Sequence, residues 1–129
     1  MVPSTLSVLI VDDDAEMREM LRQQLAVEFT VREADSGEAA IRSADEQPPD
    51  VILVDLGMPR MNGVEVIRRI KSGPVGVRTA VVVLTGDTRP THLHVAAAAG
   101  ADAILSKPVD LDLLAEHIRS AAAGLVSRK

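Results

Sequence analysis

The chain has 129 residues, a net charge of −5 at pH 7, no cysteine and one aromatic residue, Phe29. That length suits a single domain, 1–129, with a real core over about residues 6–124. The missing thiols exclude disulfides and thiolate metal sites, the acidity gives no electrostatic basis for nucleic-acid binding, and the lack of rings argues against base stacking.

No apolar run approaches the roughly 20 residues of a membrane span, so no membrane partner is expected. Met1 to Thr5 carry no basic segment of the secretory type, which fits a cytoplasmic protein. Leu6 to Val11 predicts strand one. Asp14 then suits a helix N-cap with Glu16 in the first turn, and Met17, Met20, Leu21 and Leu25 form an apolar stripe. Phe29 and Val31 alternate with Thr30 and Arg32, the pattern of a short, half-exposed strand two. Ser36 can cap a second helix carrying Ala40, Ile41 and Ala44, closed by Pro48-Pro49.

Val51 to Val54 predicts strand three, a buried run that ends abruptly in Asp55. A loop through Pro59, Asn62 and Gly63 leads to helix three, with Val64, Ile67 and Ile70 inward and Gly73-Pro74 as its stop. Ala80 to Leu84 predicts strand four, ending in Thr85-Gly86. Pro90 suits the first position of helix four, an alanine-rich helix whose run Ala96 to Ala99 reads as close packing, with Gly100 as its C-terminal cap. Ala103 to Leu105 predicts strand five, likewise a run buried on both faces, ending in Ser106-Lys107-Pro108. Asp110 caps the last helix, with Leu111, Leu114, Ile118 and Ala121 on one face.

Strict alternation of five strands and five helices implies an α/β fold, a doubly wound parallel sheet with right-handed crossovers. The order 2-1-3-4-5 suits five strands and makes strands one and three neighbours. Ligands of such sheets sit outside the carboxyl ends of the strands, where Asp12, Asp13, Asp55, Thr85 and Lys107 would meet. Packed carboxylates repel one another, so they share protons or a cation offsets them. Oxygen ligands without His or Cys favour a hard ion, and Mg²⁺ suits a few carboxylates and water. The chemistry this implies is phosphoryl transfer onto a carboxylate, with the metal and Lys107 offsetting charge, Thr85 donating a hydrogen bond, and an aspartate as nucleophile.

The acid pair after strand one, the Asp55-x-x-Met58-Pro59 segment, Thr85-Gly86 and Lys107-Pro108 together resemble the receiver domain of two-component response regulators. The chemotaxis regulator of that family is itself an example of this flavodoxin-like strand order. The resemblance covers roughly Leu6 to Gly124 and implies a phosphoacceptor, Asp55, served by a sensor histidine kinase or a histidine phosphotransfer protein. It implies Mg²⁺ bound directly by Asp13, Asp55 and the backbone carbonyl of Gly57, with Asp12 acting through water. Lys107 would pair with the acyl phosphate. Thr85 would swing toward it and change the face formed by helix four, strand five and helix five, where an effector or a second copy would bind. The Lys107-Pro108 bond would be cis.

Two departures from that pattern stand out. Where the family often has an aromatic switch residue the chain has Ile104, and Gly57 has no side chain to orient an attacking water. Asp87 either serves that purpose or is solvated. His92 and His94 lie two apart on a helix and point in different directions, so both read as exposed, as does His117. Met58 and Met61 read as local packing. Two rival functions are a scaffold that ignores phosphorylation and a Mg²⁺-dependent phosphatase using Asp55. The second lacks an acid two residues after the nucleophile and an insertion for a cap. A dinucleotide site lacks its Gly-x-Gly-x-x-Gly. The expectation is a signalling receiver rather than an enzyme, stand-alone or cut from a longer regulator.

Overall fold

A computed structural model describes residues 5–57, 63–73, 76 and 78–127, with side chains to residue 124. Strands and helices alternate: β1 (Ser7–Val11), α1 (Ala15–Leu25), β2 (Thr30–Ala34), α2 (Gly37–Glu46), β3 (Val51–Asp55), α3 (Gly63–Ser72), β4 (Ala80–Thr85), α4 (Pro90–Ala99), β5 (Ala103–Ser106) and α5 (Leu111–Ser127). The strands form one parallel sheet in the order β2-β1-β3-β4-β5.

Successive side chains of a strand point to opposite faces, so each central strand feeds two cores. Val8, Ile10, Val51, Leu53, Val82 and Leu84 pack with Leu21 and Leu25 of α1 and Leu114 and Ile118 of α5. Leu9, Val11, Ile52, Val54, Val81 and Val83 pack with Ala40 and Ala44 of α2 and Val66, Ile67 and Ile70 of α3. Every residue of β3 and β4 is buried, as continuous apolar runs in a covered parallel sheet require. Each large aliphatic side chain buried in this way stabilises the fold by about 1.5–3 kcal/mol.

The helix boundaries follow from local chemistry. Asp14 Oδ1 accepts from the Glu16 and Met17 amides, Ser36 Oγ from the Ala39 amide, and Asp110 Oδ1 from the Asp112 and Leu113 amides. Pro90 opens α4. Gly100 closes it in the left-handed region at φ +118°, its N–H donating to the Ala96 and Ala97 carbonyls.

Several sequence expectations shift. Ala103, Ile104 and Leu105 are half-buried because β5 is an edge strand, and run length cannot tell an edge from a centre. Val66, not Val64, is fully inward on α3, and Met20 is exposed beside the buried Leu21. Within the alanine run only Ala96 is fully buried, with Ala97 and Ala98 exposed. Phe29 is buried but precedes β2. The expectations for Met58, Pro59, Met61, Asn62 and Pro74 lie outside the described residues.

Candidate functional site

Register brings four strand ends together. Val11 pairs with Val54, Asp55 with Leu84, and Thr85 with Ser106. Asp12, Asp55, Thr85 and Lys107 therefore end neighbouring strands at one rim of the sheet.

Asp12 prolongs β1. Its N–H donates to the Ala34 carbonyl at 3.2 Å, and its own carbonyl accepts from Arg18 Nη1 at 2.7 Å. Its side chain is 1% exposed. Oδ1 accepts from the Asp14 amide at 2.9 Å, but the buried Oδ2 has no hydrogen-bond partner. Burial, reinforced by the nearby Asp55 carboxylate, pushes the Asp12 carboxyl up to about 6, against the opposing pull of the Asp14 amide and Lys107.

Asp55 is 8% exposed, and both its oxygens are engaged. Oδ1 accepts from the Gly57 amide at 2.8 Å, and Lys107 Nζ donates to Oδ2 at 2.7 Å. A Cβ on residue 57 would stand 3.2 Å from Oδ1, so the absence of a side chain leaves the carboxylate room. Lys107 is fixed from behind by its own N–H, which donates to the Thr85 carbonyl at 2.8 Å, and its bond to Pro108 is cis.

Thr85 is 2% exposed. Its Oγ1 accepts from the Asp87 amide at 3.0 Å and lies 3.3 Å from the Asp87 carbonyl and 3.2 Å from His92 Nε2. His92 is therefore half-buried against Thr85, which corrects its reading as a plain exposed histidine. His94 and His117 are exposed as expected. A signal was present in the sequence. Pro90 opens α4, so His92 falls in its first turn, and helical side chains lean toward the N-terminus, here toward Thr85. Asp87 is not simply solvated either. Hydrogen bonds from the Arg89 guanidinium and backbone amide hold its carboxyl well below the usual range. The Arg18 contact to the Asp12 carbonyl had no sequence signal.

The three acids differ in burial. Asp12 and Asp55 are buried together while Asp13 is exposed, and among the described residues no group of three or more His, Cys, Asp or Glu is gathered to hold a metal. A hard cation nevertheless fits the pair. The partnerless, buried Oδ2 of Asp12 is an oxygen that a cation would satisfy, and the donors are all oxygens. Ile104 packs half-buried on the α3 side of the sheet.

A family model described as Response regulator receiver domain matches residues 8–119. The Transcriptional regulatory protein KdpE of Mycobacterium tuberculosis (strain ATCC 25618 / H37Rv) is 37% identical over 116 residues, covering 88% of this chain and 50% of the relative. A probable cyclic di-GMP phosphodiesterase of Vibrio cholerae is 33% identical over 117 residues, covering 91% of this chain and 26% of the relative. The chain thus spans half or less of the length of these relatives. Among solved structures, a CheY-like response regulator receiver domain protein from Methanospirillum hungatei superposes with a TM-score of 0.86 at 26% identity, covering 98% of this chain and 100% of that one. The chemotaxis response regulator CheY4 of Vibrio cholerae gives 0.83 at 28% identity, covering 92% and 99%.

Proposed function

The chain belongs to the response regulator receiver domain family of two-component signalling, a signalling module rather than an enzyme, and from that we propose that Asp55 is its phosphoacceptor. The observation that carries the proposal is the Lys107 ammonium 2.7 Å from Asp55 Oδ2, beside the buried Asp12. A histidine kinase is the partner class that membership implies. The donor here would be the phosphohistidine of a sensor kinase or of a phosphotransfer protein. A cytoplasmic location goes with this reading. Among the described residues no helix is long and apolar enough to cross a membrane.

An oxygen of the Asp55 carboxylate attacks phosphorus, the phosphorus–nitrogen bond of the donor breaks, and the imidazole leaves with the electron pair. The product is an acyl phosphate on Asp55. Lys107 offsets the charge on the acceptor side, and the Gly57 amide orients the carboxylate before attack. Thr85 donates its hydroxyl to the phosphoryl oxygens once it leaves its present partners. Asp12, Asp13, Asp55 and the Gly57 carbonyl would hold Mg²⁺, which offsets phosphoryl charge when bound.

Output is proposed on the face of α4, β5 and α5, toward an effector or a second copy. Val95 and Leu113 are about half exposed there, at 49% and 48%. A cleft of about 180 Å³ lies between Leu105, Ser106, Val109, Asp110, Leu113 and His117. Light scattering with and without phosphorylation tests the dimer, and an unchanged mass would leave the effector.

The phosphoacceptor is tested by intact mass after incubation with Mg²⁺ and a small acyl phosphate, alongside Asp55→Asn. One added phosphoryl group is expected, lost without Mg²⁺ and lost in the variant. No adduct from either this donor or a histidine-phosphorylated protein, with the fold intact, would overturn the proposal.

A further inference from the structure

Each hydrogen-bonding contact of the Thr85 hydroxyl among the described residues lies within the β4–α4 segment. The Asp87 amide uses one lone pair, and the single hydroxyl proton has two acceptors within reach, the Asp87 carbonyl at 3.3 Å and His92 Nε2 at 3.2 Å. The Asp87 carboxylate stands 3.8 Å from His92 Nδ1, too far for a hydrogen bond, but its charge favours the tautomer protonated on that nitrogen, in which Nε2 is an acceptor. The Arg89 guanidinium and backbone amide donate to the same carboxylate. Among the described residues Asp87 is the charged group paired with the ring, and Arg89 pairs with Asp87.

The position that could have carried an aromatic switch is Ile104, whose side chain has no polar atom to follow the hydroxyl. His92 is the polar side chain that touches Thr85 from an adjoining helix. It is 27% exposed, so the ring can exchange Thr85 for water without unpacking a core.

We infer that His92 is a positioning residue for Thr85. At rest its Nε2 accepts the Thr85 hydroxyl and holds it on the α4 side. When Asp55 is phosphorylated the hydroxyl is withdrawn, and His92 in the first turn of α4 is released. The inference rests on Asp55 being the phosphoacceptor, and it names what passes the movement of Thr85 to α4 in place of a ring on β5. The contact biases a two-state equilibrium, so removing it raises the population competent for phosphorylation.

The test uses the ¹⁵N-labelled full chain with Mg²⁺, with and without beryllofluoride as the phosphoryl mimic, and reads the imidazole nitrogens of all three histidines. At rest the His92 spectrum is expected to show one protonated nitrogen, Nδ1, with Nε2 as acceptor. On loading, the Nε2 signal is expected to move to its position in Thr85→Ala. In parallel, His92→Ala is expected to accept phosphate from a small acyl phosphate about fivefold faster, the factor one neutral hydrogen bond supports. His92→Gln, which keeps an acceptor at similar reach, is expected to return toward the original rate. An Asp55 adduct with unmoved His92 signals, or with an unchanged His92→Ala rate, would overturn the coupling alone. No adduct on Asp55 from either class of donor would overturn the phosphoacceptor reading and the coupling with it.

Discussion

Lys107 reaches from the end of β5 across β4 to Asp55 at the end of β3, closing an ion pair at 2.7 Å between side chains 28% and 10% exposed. The two partners are unequal, because the lysine can turn to water and the aspartate cannot.

Lys107→Met should therefore destabilise the metal-free chain more than Asp55→Asn. Leaving a buried carboxylate without its partner costs about 2–4 kcal/mol after allowance for the partial exposure of the lysine. Asp55→Asn removes the buried charge itself and relieves Asp12, so its cost should be under about 1 kcal/mol. Urea unfolding of both variants in chelator decides the order, and equal losses would mean that the pair is solvated.

Asp12 gives the pH dependence a definite sign. Its folded-state value, about 6, lies above its reference of 3.8, so between those values the folded chain binds more protons than the unfolded one. Stability from this group is greatest below about pH 4 and falls as pH rises to about 6. The loss then stays constant at roughly 2–3 kcal/mol. In chelator, Asp12→Asn should flatten that slope in unfolding measured from pH 4 to 7.

The same carboxylate should make Mg²⁺ and protons compete. Added Mg²⁺ is expected to raise the melting temperature at pH 7.5 and to do much less at pH 5, where Asp12 is protonated. Equal shifts at both values would place the ion elsewhere.

Gly57→Ala should slow phosphorylation of Asp55 with little effect on stability. The new Cβ at 3.2 Å from Oδ1 would push the carboxylate by a few tenths of an ångström, and misplacement on that scale costs roughly threefold to tenfold in rate. Rates from a small acyl phosphate check it.

Gly100→Ala should do the reverse, since Gly100 lies at the other end of the sheet. At φ +118° the side chain is strained, and its Cβ would meet Lys71 Cγ at 2.8 Å. Lys71 is not free to retreat, for its ammonium bonds Asp102 at 2.9 Å and the Thr79 carbonyl at 2.9 Å. A loss of about 1–3 kcal/mol in urea unfolding, with phosphorylation rates unchanged, is expected.

Much of this architecture was legible because the signals were local or cumulative. The caps Asp14, Ser36 and Asp110 lie beside the amides they satisfy, and Gly100 sits where a helix must turn left-handed. The buried runs of β1, β3 and β4 announce a covered parallel sheet, whose order then follows from the wish to gather Asp12 with Asp55. What failed to show depends on neighbours distant in sequence. Ile104 reads like Val83, yet one lies in an edge strand and the other in the centre. Asp12 and Asp13 read alike, yet Asp12 is sealed behind the Arg18 and Asp14 contacts while Asp13 is exposed. His92 gained its contact from the point where Pro90 starts the helix, a phase that spacing between histidines alone could not supply.

Because alternate residues of each inner strand serve opposite cores, the sheet behaves as a bulkhead between two compartments. A change of shape in the α1–α5 compartment has little way to reach the α2–α3 compartment through Leu53 or Val82, which are walled in. β5 is the rim beside Thr85, with Leu105 turned into one compartment and Ile104 into the other, both half open to water. A disturbance beginning at Thr85 therefore meets a seam at β5. There both compartments can respond together while the wall behind them stays still.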